Sequence, residues 1–248
     1  MTETETLTIA PRFNGPPDSG NGGYSCGLLA RFVDGPAEVT LRLPPPIGRP
    51  LQVELADGVA TLRDGDSVIA EARPAQLHIE APSAVDTVEA TAAAEDSAFL
   101  DSATHPFPTC FVCGPKRDAG DGLRIFAAPV SQRDVFAAPW TPDAGLAGDD
   151  GTLPPELIWA ALDCPTSAPV ANDWNEPGFL PIVLARLTTR ILAPVHAGEP
   201  HTLVSWPIEL DGRKRHAGAA LHSAEGELLA VARALWIELK PQSAAGAA

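Results

Sequence analysis

Val68-Ile69-Ala70-Glu71-Ala72-Arg73 is echoed by Leu228-Leu229-Ala230-Val231-Ala232-Arg233, 160 positions further on. Self-similarity over such a separation marks a duplicated unit, and working outward from the two copies shows how far the duplication extends. The first copy follows Val59 to Arg63 and the turn Asp64-Gly65-Asp66; the second follows Ala217 to His222 and the turn Ser223-Ala224-Glu225-Gly226. Each pair reads as a β-hairpin, with glycine supplying the left-handed backbone of the turn. A further strand precedes each hairpin, Leu51 to Leu55 before Asp57-Gly58 and Leu203 to Leu210 before Asp211-Gly212. One more lies upstream in each half, Glu38 to Leu43 and Leu184 to Leu192.

Ahead of the strands each half carries one apolar helical run. In the first half it is Gly22 to Phe32, closed by Asp34-Gly35-Pro36; in the second it is Pro154 to Asp163, with Pro165 expected to limit it. A helix without a polar face calls for enclosure by sheet rather than a place on a surface. The expected class is α+β: residues 1–80 as an N-terminal half, 81–105 as a linker or loosely packed helix, 106–240 as a C-terminal half and 241–248 as a low-complexity tail.

The 248-residue chain is 45% apolar and 20% charged, the balance of a folded globular protein. Its 17 Lys and Arg stand against 32 Asp and Glu, a formal charge of −15 that repels phosphate backbones and anionic lipid. Nucleic acid is therefore disfavoured as a partner, whereas a small anion such as coenzyme A needs only a local basic patch. No run of about 18 apolar residues suggests a membrane span. The acidic start Met1-Thr2-Glu3-Thr4-Glu5 lacks the order of a secretory signal, so a cytoplasmic location is expected. Cys26, Cys110, Cys113 and Cys164 are accordingly read as thiols.

Two motifs sharpen the picture. Cys110-Phe111-Val112-Cys113-Gly114-Pro115 followed by Gly122-Leu123-Arg124-Ile125, and the final segment from Asp211-Gly212-Arg213 to Trp236, resemble hotdog-fold acyl-CoA thioesterases of the phenylacetyl-CoA and 4-hydroxybenzoyl-CoA type. With the internal repeat, the resemblance implies a double hotdog: two tandem halves, each a long apolar helix wrapped by a curved antiparallel sheet. Members of this kind commonly carry His-Gly-Gly at the helix start and Asp nine positions after the His. Here Asn21-Gly22-Gly23 keeps the glycines, but Ala30 stands nine after Asn21; Asp163 keeps the acid, but Pro154-Pro155-Glu156 replaces the glycine motif. The resemblance thus implies one composite catalytic site built from Asn21, Gly22 and Gly23 of the first half and Asp163 of the second, with the reciprocal site degenerate. In it, N–H groups at a helix N-terminus would hold an oxyanion and a carboxylate would activate water.

Further candidates are weaker. Thr188 and Thr189 fall on the strand after the second helix, where some double-hotdog thioesterases place a hydroxyl near the attacking water; alternation lets at most one point inward. Arg213-Lys214-Arg215, with His216 beside it, is the dense cationic cluster and the natural docking point for coenzyme A phosphates. Cys110 and Cys113 form a Cys-x2-Cys with His105 five residues upstream, but zinc wants four ligands and the remaining thiols, Cys26 and Cys164, fall in the expected helices, so no metal and no cofactor are expected. Asn172-Asp173-Trp174-Asn175 sits in an insertion absent from the first half, as a lid or a surface excursion. No Gly-x-Ser-x-Gly, Gly-x-Gly-x-x-Gly or phosphate-binding loop is present, nor the Asp and His pair of hotdog hydratases. The function read from the sequence is thioesterase-like hydrolysis of an acyl-CoA or carrier-bound acyl substrate. The alternative is a non-catalytic hotdog protein that binds an acyl ligand or scaffolds a partner, with a homo-oligomer left open.

Overall fold

The computed structural model describes residues 3–171 and 181–239. Along the chain run β1 (Glu3–Thr8), α1 (Gly22–Ala30), β2 (Ala37–Leu41), β3 (Pro50–Ala56), β4 (Val59–Asp64) and β5 (Ser67–Pro74). Then follow α2 (Thr87–Glu95), β6 (Ala128–Pro129), β7 (Phe136–Trp140), α3 (Pro155–Ala171), β8 (Ile182–Ile191), β9 (His201–Asp211), β10 (Lys214–Ser223) and β11 (Leu228–Glu238). The strands form one antiparallel sheet in the order β1-β3-β4-β5-β2-β8-β11-β10-β9-β7-β6. Apart from β6, the order reads the same from both ends once β1 is matched with β7, β2 with β8, β3 with β9, β4 with β10 and β5 with β11. The halves meet at the β2–β8 pair, from Ala37 opposite Thr189 to Thr40 opposite Arg186.

Equivalent hydrogen bonds fix the correspondence residue by residue. Gly20 N–H donates to Pro45 O, and Leu153 N–H donates to Val195 O, both at 2.8 Å. Arg42 and Leu43 N–H converge on Ile69 O; Leu192 and Ala193 N–H converge on Leu229 O. The first pair aligns Asn21 with Pro154, Gly23 with Glu156 and Ala30 with Asp163. The second recovers the Ile69 and Leu229 equivalence visible in the repeat.

Local chemistry explains the elements. Asp57 and Gly58 both have positive φ, 51° and 74°, the backbone a two-residue hairpin needs to match strand twist between β3 and β4. Leu51 and Val53 of β3, and Ala60 and Leu62 of β4, alternate into the main core, where α1 and α3 lie. The expected helix end at Pro165 is corrected: α3 continues through Pro165 and Pro169 to Ala171. Each proline inside a helix costs about 3 kcal/mol, and the offset lies in the stretch beyond Pro165, where Ala168, Val170 and Ala171 are buried. The sheet also grips the stretch after Pro165 directly. Trp236 Nε1 donates to Thr166 Oγ1 at 2.9 Å, and Arg215 Nη1 donates to Val170 O at 3.3 Å.

The stretch expected as a linker or loose helix contains α2, whose N-cap Asp86 accepts from Glu89 N–H at 2.9 Å. It packs on the outer face of the sheet, where Val85 and Ala90 meet Val130, Val135, Ala137 and Val204. Leu77 does the same over Ala220 and Val231. Neighbouring Ala138 and Leu203 belong to the inner core, so these strands bury both faces. Among the described residues, no helix is long and apolar enough to cross a membrane. Asn172 to Asn175 and the 241–248 tail lie outside the described residues.

Two expectations follow. Residues 1–104 or 105–248 expressed alone each expose the β2 or β8 edge and an apolar face, so neither gives a soluble, cooperatively folding monomer; a sharp unfolding transition from either fragment overturns this. His201 and His222 are 1% and 4% exposed, and burial lowers the affinity of both rings for a proton. Their folded pKa values lie below the unfolded one, so the stability they contribute is complete above about pH 6.5 and is lost as pH falls below it. Asp163, raised to about 7, acts in the opposite sense over this range, so the ring's share is read as a difference: unfolding free energies from urea titrations at pH 7.5 and 5 should fall further in the wild type than in His222→Gln, by at most about 1.4 kcal/mol per pH unit.

Candidate functional site

The site begins with the cap of α1. Asn21 N–H donates to Phe13 O, which anchors the loop, and Asn21 Oδ1 accepts from Tyr24 N–H at 2.9 Å. That cap fixes the amide orientation and turns Nδ2 toward α3, where it donates to Asp163 Oδ2 at 3.1 Å. Gly23 N–H donates to the same oxygen at 2.8 Å. The four residues expected to form a composite site, Asn21, Gly22, Gly23 and Asp163, therefore do converge.

Glycine makes the approach possible. A Cβ on Gly23 would lie 2.4 Å from Asp163 Cβ and 2.6 Å from Trp159 O; one on Gly27 would lie 2.5 Å from Glu156 Cα. These two positions, one helical turn apart, let α1 pass α3 at backbone contact, running antiparallel. A Cβ on Gly22 would meet Leu184 Cδ2 at 2.8 Å and Asp163 Oδ2 at 3.4 Å.

Asp163 is 2% exposed and lies mid-helix, because α3 runs on to Ala171; the expected placement at a helix C-terminus is corrected accordingly. Burial raises its pKa, Gly23 N–H and Asn21 pull it back, and the result is about 7. Oδ2 has two donors, while Oδ1 is buried without a partner among the described residues. The expected role of Gly23 N–H as a donor to a substrate oxyanion is not what the geometry provides, since that N–H is already taken by Asp163.

The reciprocal position differs at each point. Ala30 offers no carboxylate, and Glu156, aligned with Gly23, turns one oxygen toward Arg31 Nη1 at 3.6 Å rather than capping its own helix. Burial and then Glu156 push the Tyr24 phenol up to about 12. On β8, Thr189 shares the inward parity of Leu187, and its Oγ1 is buried without a partner among the described residues. Thr188 faces the other side, where Oγ1 donates to Glu38 Oε2 at 3.4 Å. The expected cationic cluster is already paired: Arg213 Nη1 donates to Glu238 O at 2.9 Å, Lys214 meets Asp211 at 3.1 Å and Arg215 meets Glu238 at 2.7 Å. None of the three bonds to the Asn21, Gly23 and Asp163 set.

What the sequence reading missed is Cys164. The thiol next to Asp163 joins Cys110 and Cys113, and all three sulfurs lie within 4.8 Å of one another. Asn21 Nδ2 lies 3.7 Å from Cys164 Sγ and 3.9 Å from Cys110 Sγ. The available signal was the Cys-x2-Cys-Gly spacing, set aside because Cys164 falls in a helix.

No protein-family model and no curated protein sequence matches the chain. Solved structures do. The TesB protein of Mycobacterium avium subsp. paratuberculosis aligns at TM-score 0.62 and 13% identity, covering 96% of this chain and 93% of that one. A conserved protein of unknown function with a hot dog fold from Alicyclobacillus acidocaldarius aligns at 0.58 and 14%, covering 96% and 94%. The fold is a double hotdog. An acyl-CoA thioesterase II, TesB2 of Mycobacterium marinum, aligns with this double hotdog at 0.57 and 13% identity, covering 96% and 94%. At such identities the likeness concerns the fold, and the chemistry has to be argued from the site.

The helix contact is open to measurement. Alanine normally stabilises a helix by up to about 1 kcal/mol over glycine, yet Gly23→Ala and Gly27→Ala should each lose about 2–3 kcal/mol by overpacking. Urea unfolding at constant m-value reads the difference, and a gain in stability from either variant contradicts the contact.

Proposed function

We propose that the protein hydrolyses the thioester of an acyl-CoA or a carrier-bound acyl group at the Asn21, Gly22, Gly23 and Asp163 site. The observation that carries this reading is the division of labour within one carboxylate: Oδ2 is held by two donors and Oδ1 has none among the described residues. A carboxylate oriented through one oxygen has the other for a water proton. Water would add to the thioester carbonyl as its proton passes to Asp163 Oδ1, giving a tetrahedral oxyanion. Collapse would break the carbon–sulfur bond and return the proton from Asp163 to the leaving thiolate.

The oxyanion needs its own donor, and Gly23 N–H is taken. Gly22 N–H is the first of α1 and has no acceptor within the helix, so in this reading it meets the oxyanion at the positive end of the helix dipole. Arg213 and Lys214, exposed at the β9–β10 turn, are the groups we assign to the coenzyme A phosphates. A second reading, acyl binding without turnover, draws on the same hydrogen bond: an aspartate gripped by α1 also serves as an anchor between the halves.

Thiol release from short, long and aromatic acyl-CoAs separates the two. Catalysis predicts turnover by the wild type and a loss in kcat of at least about 100-fold in Asp163→Asn, which keeps the shape and the acceptor oxygen. Absence of turnover across all three substrate classes, with acyl-CoA still binding, selects the second reading.

A further inference from the structure

The three thiols beside this site come from two distant parts of the chain. Cys110 and Cys113 lie in the turn Cys110-Phe111-Val112-Cys113-Gly114, and Cys164 comes from the middle of α3. The turn is closed by Gly114 N–H donating to Cys110 O at 2.9 Å, and a Cβ on Gly114 would strike Cys110 O at 2.4 Å. The segment is held in place from outside as well, since Phe111 N–H donates to Asn14 O at 2.8 Å. All three cysteines are buried and form no disulfide.

We propose that Cys110, Cys113 and Cys164 form a binding site for a soft, thiophilic metal cation of the Zn2+ class. This inference is independent of the thioesterase reading. Two observations carry it. With a zinc–sulfur bond of about 2.3 Å, the edge of a tetrahedron of sulfurs is about 3.8 Å; Cys110 Sγ and Cys164 Sγ are 3.8 Å apart, and all three sulfurs lie within 4.8 Å. A side-chain donor also faces the sulfurs. Asn21 Nδ2 approaches both Cys110 and Cys164.

Close packing of neutral thiols accounts for the spacing but not for an amide nitrogen beside two of the sulfurs. A buried thiol behaves as a small apolar group and needs no N–H directed at it; a metal-bound thiolate carries charge that such donors offset. Binding converts three thiols to thiolates and releases three protons to solvent, so one divalent cation with three thiolates leaves a net charge of −1, which Asn21 Nδ2 partly offsets. Three protein ligands leave the fourth tetrahedral position to a non-protein ligand. The cation would join the Cys110–Gly114 turn to α3 next to the cap of α1.

The test uses the full chain, purified without chelator and desalted. The proposal expects about one zinc per chain by elemental analysis. The metal-stripped protein should take up one Co2+ with sulfur-to-cobalt charge-transfer absorption, and excess Zn2+ should raise its melting temperature. Cys110→Ser and Cys164→Ser should each lower metal content at least tenfold, while Cys26→Ser, a buried thiol of α1 outside the cluster, should retain it. Should the serine variants not fold, the Co2+ titration of the unaltered chain decides alone. Less than a tenth of an equivalent of zinc together with no charge-transfer absorption overturns the site, as does equal metal loss in Cys26→Ser.

Discussion

Everything at the centre of this molecule depends on one carboxylate buried against the start of one helix. Removing an ionisable group from water costs several kcal/mol unless donors replace the solvent. Asp163 meets that cost through Gly23 N–H and Asn21 Nδ2 at the positive end of α1. Those donors reach it only because the chain carries no side chain at Gly23 and Gly27, so the helices of the two halves meet at backbone distance. A residue of any other type at position 23 would displace α3, and with it the strands that wrap α3.

The duplicated architecture makes the asymmetry of this contact informative. Equivalent hydrogen bonds align Ala30 with Asp163 and Gly23 with Glu156, so the pseudo-twofold that relates the sheets does not relate the chemistry. One side has a carboxylate held by helix donors; the other has an acid paired with Arg31 and prolines at the first turn, which remove N–H donors. Two copies of one unit thus share a scaffold while the polar groups are divided between them. Neither half holds the complete set, and the carboxylate meets its donors only at the interface between α1 and α3.

The Cys110–Gly114 turn and Cys164 sit against this same interface, and Asn21 touches both systems: its Oδ1 caps α1, and its Nδ2 faces Asp163 and two sulfurs. A single amide therefore couples the helix start, the buried carboxylate and the thiol cluster. Its orientation is not free to change, because reversing it would place Nδ2 against Tyr24 N–H and leave two donors facing each other.

Much of the fold was legible in the chain. Hairpins with Asp-Gly turns, a repeat 160 positions apart and apolar helices without a polar face are local patterns, dictated by backbone sterics and side-chain alternation. The pairing of Asn21-Gly22-Gly23 with Asp163 was also reachable, through a family resemblance and the complementary losses in the two halves. Four features were decided only by tertiary structure. Helix α3 runs through Pro165 because burial of Ala168, Val170 and Ala171 and the hydrogen bonds from Trp236 and Arg215 offset the local cost of proline, a balance no local rule contains. The 77–90 stretch covers the outer face of β7, β9, β10 and β11 because those strands expose small apolar residues there, which alternation alone assigns to either side. Cys164 joins Cys110 and Cys113 because the Cys110–Gly114 turn, tied to Asn14, is set against α3; Gly23 N–H serves Asp163 rather than standing open because α1 and α3 meet at backbone distance, which follows from side chains meeting across the core and not from their spacing along the chain.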